Sequence, residues 1–193
     1  LSEITEIKKN VDIEVETFVH GAMCYSYSGR CLMSSFAGGR SGNRGRCAQP
    51  CRKQYDSNGV NEYMLSLKDM CMLKSLGKLI DAGIDSFKIE GRMKKPEYVA
   101  ATVTAYREVR DAYLAGESVE KLAEEQEKKL LDIYNRGGFY SGYYYTSNGK
   151  KMLANSRPNH TGIKVGRVNA VEKPYVDIKL DENVSAGDVL EIR

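Results

Sequence analysis

Apolar residues recur at three-residue spacing at the start of the chain. Leu1, Ile4 and Ile7 mark one face of an amphipathic helix ending near Asn10. Residues 11–19 alternate and are rich in β-branched and aromatic side chains, which predicts a strand. Helix and strand, joined by about two residues, form the αβ half of a βαβ repeat. The pattern then breaks: residues 21–59 are rich in Gly, Ser, Arg and Cys and show no period. A loop that long inside a compact domain is uncommon unless it is functional or tied down. Periodicity returns with a short strand at 63–66 and a helix over 68–82, with Gly83 as its C-cap. A strand follows at 86–90. Pro96 then sits in the first turn of a helix running to about Ala115.

This alternation of strand and helix predicts a parallel α/β sheet or barrel. About three units are visible, too few to close eight strands, so the fold class expected is α/β, part of a TIM-like (β/α) barrel with a cysteine-rich insertion. Residues 119–134 predict a polar amphipathic helix, and the Gly- and Tyr-dense residues 135–145 a loop or sheet edge. From residue 163 the pattern changes to short strands at 163–171, 175–180 and 189–192, with a turn at Gly187-Asp188 before the last. The domain reading is therefore a partial catalytic domain over residues 1–157, including the cysteine-rich loop 21–59. Residues 158–193 would begin a small all-β domain.

Composition narrows the class. With 41% hydrophobic and 28% charged residues, the 193-residue chain is that of a folded globular protein. A net charge of +3 says little about partners. No apolar run approaches the roughly 20 residues that span a bilayer. Leu1-Ser2-Glu3-Ile4 is no signal peptide, and the absence of an initial Met reads as a fragment. The five cysteines, Cys24, Cys31, Cys47, Cys51 and Cys71, all lie early in the chain. An odd, clustered set without a secretion signal argues against a disulfide framework and for metal or thiol chemistry in a reducing cytoplasm. The plain alternative is a set of buried structural cysteines.

The cysteine spacing is x6, x15, x3 and x19. Four thiolates suit zinc or an iron–sulfur cluster. Zinc sites usually draw on pairs two to four residues apart, and only Cys47 and Cys51 are that tight. The wide Cys24/Cys31 pair suits a bulkier cluster, and spacing alone leaves both open. Glycines throughout the segment let backbone amides approach closely. Arg30, Arg44, Arg46 and Arg52 read either as a solvated basic loop or as an anion site gripping carboxylate or phosphate.

Glu16-Thr17-Phe18-Val19-His20-Gly21-Ala22-Met23-Cys24, followed by Gly29-Arg30-Cys31-Leu32-Met33-Ser34, resembles the signature of peptidase family U32 without a gap. Leu65-Ser66-Leu67-Lys68-Asp69-Met70-Cys71 and Phe87-Lys88-Ile89-Glu90-Gly91-Arg92-Met93-Lys94 are also similar to that family. The resemblance implies a TIM-type barrel, here lacking an N-terminal portion. It also implies two activities: a collagenase-like peptidase, the family's inherited name, or oxygen-independent hydroxylation of RNA. The branch most similar makes 5-hydroxyuridine at the tRNA wobble position using prephenate, a small anionic oxygen donor. A [4Fe–4S] cluster would be held by Cys24, Cys31, Cys47 and Cys51, with Cys71 as the alternative fourth ligand.

Other residues carry candidate chemistry. The chain has neither H-E-x-x-H nor G-x-S-x-G. His20 is a catalytic candidate or a hydrogen-bonded structural histidine. Glu16, on the first strand, and Lys88 and Glu90 on a later one would face inward in a barrel, where charge must be paired or functional. With Arg92 they would line a catalytic mouth at the strands' C-terminal ends. The Tyr-rich stretch 139–145, near Arg136, offers either RNA stacking or packing. A cytoplasmic, cluster-dependent RNA hydroxylase is thus expected, with a peptidase or a zinc-stabilised RNA-binding module as rivals.

Overall fold

The computed structural model describes residues 1–145 and 149–192. It comprises two compact units, Leu1–Thr161 and Gly162–Arg193.

The first unit is a mixed α/β fold. Helix α1 (Ser2–Asn10) leads to strand β1 (Glu16–Ala22), which starts later than the alternation suggested. The long irregular segment holds a short helix, α2 (Met33–Gly38), 3-10 turns at Gly42–Arg44 and Pro50–Arg52, and a hairpin of β2 (Tyr55–Ser57) and β3 (Val60–Glu62). Residues 63–66 are not a strand, and the helix expected from residue 68 begins later. The strand β4 (Asp69–Cys71) lies inside that range, and helix α3 (Leu76–Asp81) follows a 3-10 turn. Strand β5 (Ser86–Ile89), helix α4 (Pro96–Leu114) and helix α5 (Glu120–Ile133) form close to where the sequence puts them. Strand β6 (Phe139–Tyr140) lies in the Tyr-rich stretch.

The sheet order is β5-β1-β4-β6. β1 pairs parallel with β5, and β4 parallel with β6, but β1 and β4 are antiparallel, with Ala22 opposite Asp69. This corrects the uniformly parallel order expected from sequence. A parallel return needs a crossover along the sheet. Instead the chain leaves β1 at one end and re-enters β4 at that same end, so residues 23–68 form one excursion from a single edge. The ends of β1 and β5 and the starts of β4 and β6 meet there.

The helices cover the core through regular stripes. α4 buries Tyr98, Thr102, Ala105, Tyr106 and Val109, and α5 buries Ala123, Gln126 and Leu130, both at helical spacing. α3 and α5 pack against α4. The hydroxyl of Tyr106 accepts from the Met72 N–H at 3.0 Å and donates to the Val19 carbonyl at 2.8 Å, tying helix to sheet. Gly21 sits at φ +114° with Glu90 so close that a Cβ there would meet its carbonyl oxygen at 2.5 Å, so only glycine fits where β1 turns toward Cys24.

The second unit contains a hairpin of β7 (Gly166–Glu172) and β8 (Tyr175–Leu180). The turn at Gly187 forms, with the Asp188 N–H donating to the Ser185 carbonyl at 3.1 Å. Residues 189–192 are not a strand. No helix among the described residues is long and apolar enough to cross a membrane.

Candidate functional site

Every element that ends or begins at the shared sheet edge contributes to one site. β1 delivers Cys24, β4 begins with Asp69, the turn after β5 carries Arg92 and Lys94, and Arg136 precedes β6. Arg52 fastens the excursion onto this edge. Its guanidinium donates to the Ser66 hydroxyl at 2.7 Å, the Leu67 carbonyl at 2.5 Å and the Met23 carbonyl at 3.0 Å. Both ends of the excursion are therefore held by one side chain. Arg92 holds its middle, donating to the Gly45 carbonyl at 2.7 Å. Within it, the Gln49 N–H donates to Cys47 Sγ at 3.3 Å and the Ala48 N–H to the Ser34 hydroxyl at 2.9 Å.

The cysteines divide into two environments. Cys24, Cys31 and Cys47 are exposed and Cys51 is half-buried. Burial pushes the Cys51 thiol up; the Arg52 charge pulls it down, and Cys24, Cys47 and Cys31 each push it up again. Cys71 is buried in β4 opposite His20, 3.8 Å from the Tyr106 hydroxyl, and burial pushes its thiol up to about 12. Among the described residues no three His, Cys, Asp or Glu side chains are placed to hold a single ion. Thiolates around one zinc stand close together, each about 2.3 Å from the metal, whereas a multi-iron cluster separates its ligands more widely. Four thiols on Gly-rich backbone are soft donors of the kind that iron–sulfur centres take.

Beneath the excursion lies a buried charge cluster. Asp69 is 1% exposed, and its Oδ1 accepts from Arg136 Nη1 at 2.6 Å, while its Oδ2 is buried without a partner among the described residues. Burial raises the Asp69 carboxyl; Arg136, Lys94 and Arg52 lower it. Lys94 Nζ lies over the Tyr134 ring at 2.7 Å and the Tyr98 ring at 5.1 Å. Burial brings its ammonium down to about 8, with the Asp69 carboxylate opposing and Arg136 and Arg52 reinforcing.

The sequence candidates are scattered around this arrangement. Glu90 lies at the shared edge, where its carboxylate accepts the Arg92 N–H at 2.7 Å. Glu16 opens β1 at the far end of the strand and pairs with Lys88 at 2.8 Å, both half-exposed. They stand on a solvated face, not in an enclosed mouth, so each carries its charge at little desolvation cost. Arg30, Arg44 and Arg46 are exposed on the excursion. In the Tyr-rich stretch, Tyr144 donates to the Phe18 carbonyl at 2.8 Å and Phe139 packs on His20.

His20 is 1% exposed, with ring centroids 5.9 Å from Tyr98, 5.6 Å from Tyr106 and 5.3 Å from Phe139. Burial, assisted by the Lys94 charge, lowers it to about 3, so it is neutral in the fold. The unfolded chain takes up this proton near pH 6.5. Between pH 6.5 and 3 the unfolded state therefore holds more protons, and stability falls as pH falls. From pH 7 to 4.5 the parent protein is expected to lose about 2–3 kcal/mol that His20→Gln does not lose. Urea unfolding of both proteins across that range measures it, and parallel slopes would contradict a neutral core histidine.

Asp69, Arg136, Lys94 and Tyr134 were not singled out from the sequence as a group. The sequence carries little signal for the group, since β4 is buried at every position from Asp69 to Cys71 and no alternation marks the carboxylate as inward.

Comparison with known proteins gives a match to peptidase family U32 over residues 1–154. An uncharacterized protease of Methanocaldococcus jannaschii is 37% identical over an alignment covering 100% of this chain and 52% of that protein. The tRNA hydroxylation protein P1 of Bacillus subtilis is 48% identical over 58% of this chain and 30% of its own length. A 23S rRNA 5-hydroxycytidine synthase of Escherichia coli is 34% identical over 100% of this chain and 31% of its own length. The chain thus spans about half or less of each of these relatives. No solved structure matches it.

Proposed function

The chain belongs to peptidase family U32, and from that premise we propose that it serves an enzyme that hydroxylates a pyrimidine of RNA without molecular oxygen. The specific reading is conversion of the tRNA wobble uridine to 5-hydroxyuridine, in the cytoplasm, with prephenate or a similar small anion as oxygen donor. One observation carries the reading: Arg52, next to Cys51, donates to the carbonyl of Met23, next to Cys24, so that two thiol-bearing stretches of backbone meet at the sheet edge where the cations gather. Two relatives named for tRNA hydroxylation and for rRNA hydroxycytidine synthesis support it. We read the parallel pair β5-β1, and not the antiparallel β4 beside it, as an arc of a (β/α) barrel, since β1 and β5 carry Cys24 and Arg92 just past their C-terminal ends.

Cys24, Cys31, Cys47 and Cys51 would hold a [4Fe–4S] cluster, which when bound supplies electron transfer at the site. The chain's own residues do the rest. Arg52 and Arg92 fix the excursion that carries the thiols. Arg136 is aimed by Asp69 and offers positive charge to an anionic substrate. Lys94 Nζ, brought down to about 8, exchanges a proton near neutral pH more readily than a surface lysine.

The peptidase reading, which the names of relatives called protease and collagenase suggest, needs a nucleophile with a base in reach. His20 is sealed among aromatic rings, and His160 accepts the Asn135 N–H through Nδ1 at 3.1 Å and stacks on Tyr134. It stands second for that reason. The test is nucleoside analysis of tRNA and rRNA from a strain lacking the gene and any other route to the same modification. Loss of a 5-hydroxypyrimidine or its derivatives is the expected result; unchanged tRNA and rRNA nucleosides would overturn the proposal.

A further inference from the structure

Beside the cysteines is an open cavity of about 580 Å³, with Cys47 in its wall. Four cations line it, Arg40, Arg52, Lys53 and Arg136, and no carboxylate does. The three arginines are held in place. Arg52 is anchored by Ser66, Leu67 and Met23, Arg136 by Asp69 and the Pro158 carbonyl at 3.0 Å, and Arg40 by the Arg46 carbonyl at 3.0 Å. Only Arg136 has a carboxylate partner; among the described residues Arg40, Arg52 and Lys53 have none within salt-bridge distance. Arg40 and Lys53 are exposed, so the charge that gains most from an anion in the cavity is Arg52, half-buried and without a counter-charge.

Guanidinium forks match carboxylate and phosphate equally well, so the remaining walls decide. They present the ring of Tyr63 and the side-chain amides of Gln49, Gln54 and Asn159. Among the described residues none of these three amides is used in a hydrogen bond within the protein. A bare dianion has no use for an aromatic face and three free amides. An unpaired nucleotide uses all of them: phosphate on the cations, base on the ring, base edge on the amides. The volume is that of a small-ligand site, enough for one nucleotide and too little for a duplex.

We propose that this cavity is a nucleotide subsite, in which Arg52, Lys53 and Arg136 hold the phosphate and Tyr63, with the neighbouring amides, receives the base. The assignment rests on the RNA reading above and names the form in which RNA enters: one unstacked nucleotide, lying against Cys47.

The test titrates the intact chain with uridine 5′-monophosphate, uridine, inorganic phosphate and malonate by calorimetry. The monophosphate is expected to bind at least about tenfold tighter than uridine or phosphate alone. Tyr63→Ala should weaken the monophosphate by about tenfold while leaving phosphate within about twofold. Gln54→Ala, at an exposed position, should weaken the monophosphate only, and Lys53→Glu both ligands alike. Malonate binding tighter than the monophosphate, or a monophosphate affinity indifferent to all three substitutions, would overturn the subsite. The two readings fail separately. A lost RNA modification with no nucleotide preference removes this assignment alone. Nucleotide binding with unchanged RNA nucleosides removes the hydroxylase reading alone.

Discussion

Asp69→Ala is expected to cost about 3–5 kcal/mol of folding stability, much of the total that a domain of this size commands. The carboxylate is 1% exposed, starts a central strand and accepts from Arg136 at 2.6 Å. Arg136 is itself buried, and Arg52 and Lys94 contribute further positive charge around it. Removing the one anion leaves three cations facing each other in a medium that solvates them poorly. Asp69→Asn keeps the shape and one acceptor for Arg136 but not the charge, and should fall between the parent and the alanine variant. Joint replacement of Asp69 and Arg136 by apolar residues should cost less than the sum of the single changes, because each single change strands its partner. The contrast is Lys88→Ala. It breaks an ion pair of similar length between two half-exposed side chains, where screening leaves little to lose, and should leave the urea midpoint unmoved. Chemical denaturation of these variants decides the matter. An Asp69→Ala midpoint equal to the parent's would mean that the carboxylate does not hold this edge together.

The same residue shows where the sequence can be read and where it cannot. Helices α4 and α5 were legible because their signals are local: Pro96 in a first turn, then buried positions at helical spacing. Strand β5 was legible from Ser86 to Ile89 for the same reason. β4 was not. With Asp69 and Lys68 ahead of an apolar run, the segment reads as the acidic first turn of a helix. Its strand character comes from β1 and β6 on either side, far away in sequence. The candidate site follows the same division. Five cysteines in one segment advertise chemistry by count alone. What holds four of them at one edge is Arg52 reaching Met23, Ser66 and Leu67, and Arg92 reaching Gly45. Those long-range contacts have no periodicity to betray them. The inward-facing charges expected of Glu16 and Lys88 failed for a related reason. Alternation says which residues share a face, not whether anything covers it.

Serine replacement at Cys24, Cys31, Cys47 or Cys51 is expected to abolish iron binding, and at Cys71 to preserve it. The proposed ligand set makes each of the four thiolates a bond to the cluster, and a hydroxyl is a poor substitute for a thiolate on soft iron–sulfur centres. Cys51 is the informative position, since it and Cys71 are the rival fourth ligands. Cys51 is half-buried, and burial pushes its thiol up less completely than at Cys71, while Arg52 beside it pulls toward the thiolate. Cys71 is enclosed with Tyr106, and its thiol is pushed up to about 12, so it stays protonated across the physiological range. Ligation there would require both a deprotonation against burial and a path past β1, since Cys71 pairs with His20 inside the sheet. Protein prepared without air and assayed for iron and acid-labile sulfide separates the cases independently of any catalytic assay. Cys71→Ser should lose some stability, because it places a polar hydroxyl in an apolar pocket, yet keep the parent's iron content once folded. Iron retained in Cys51→Ser and lost in Cys71→Ser would transfer the fourth bond to the buried thiol, and would require the sheet edge to open when the cluster is inserted.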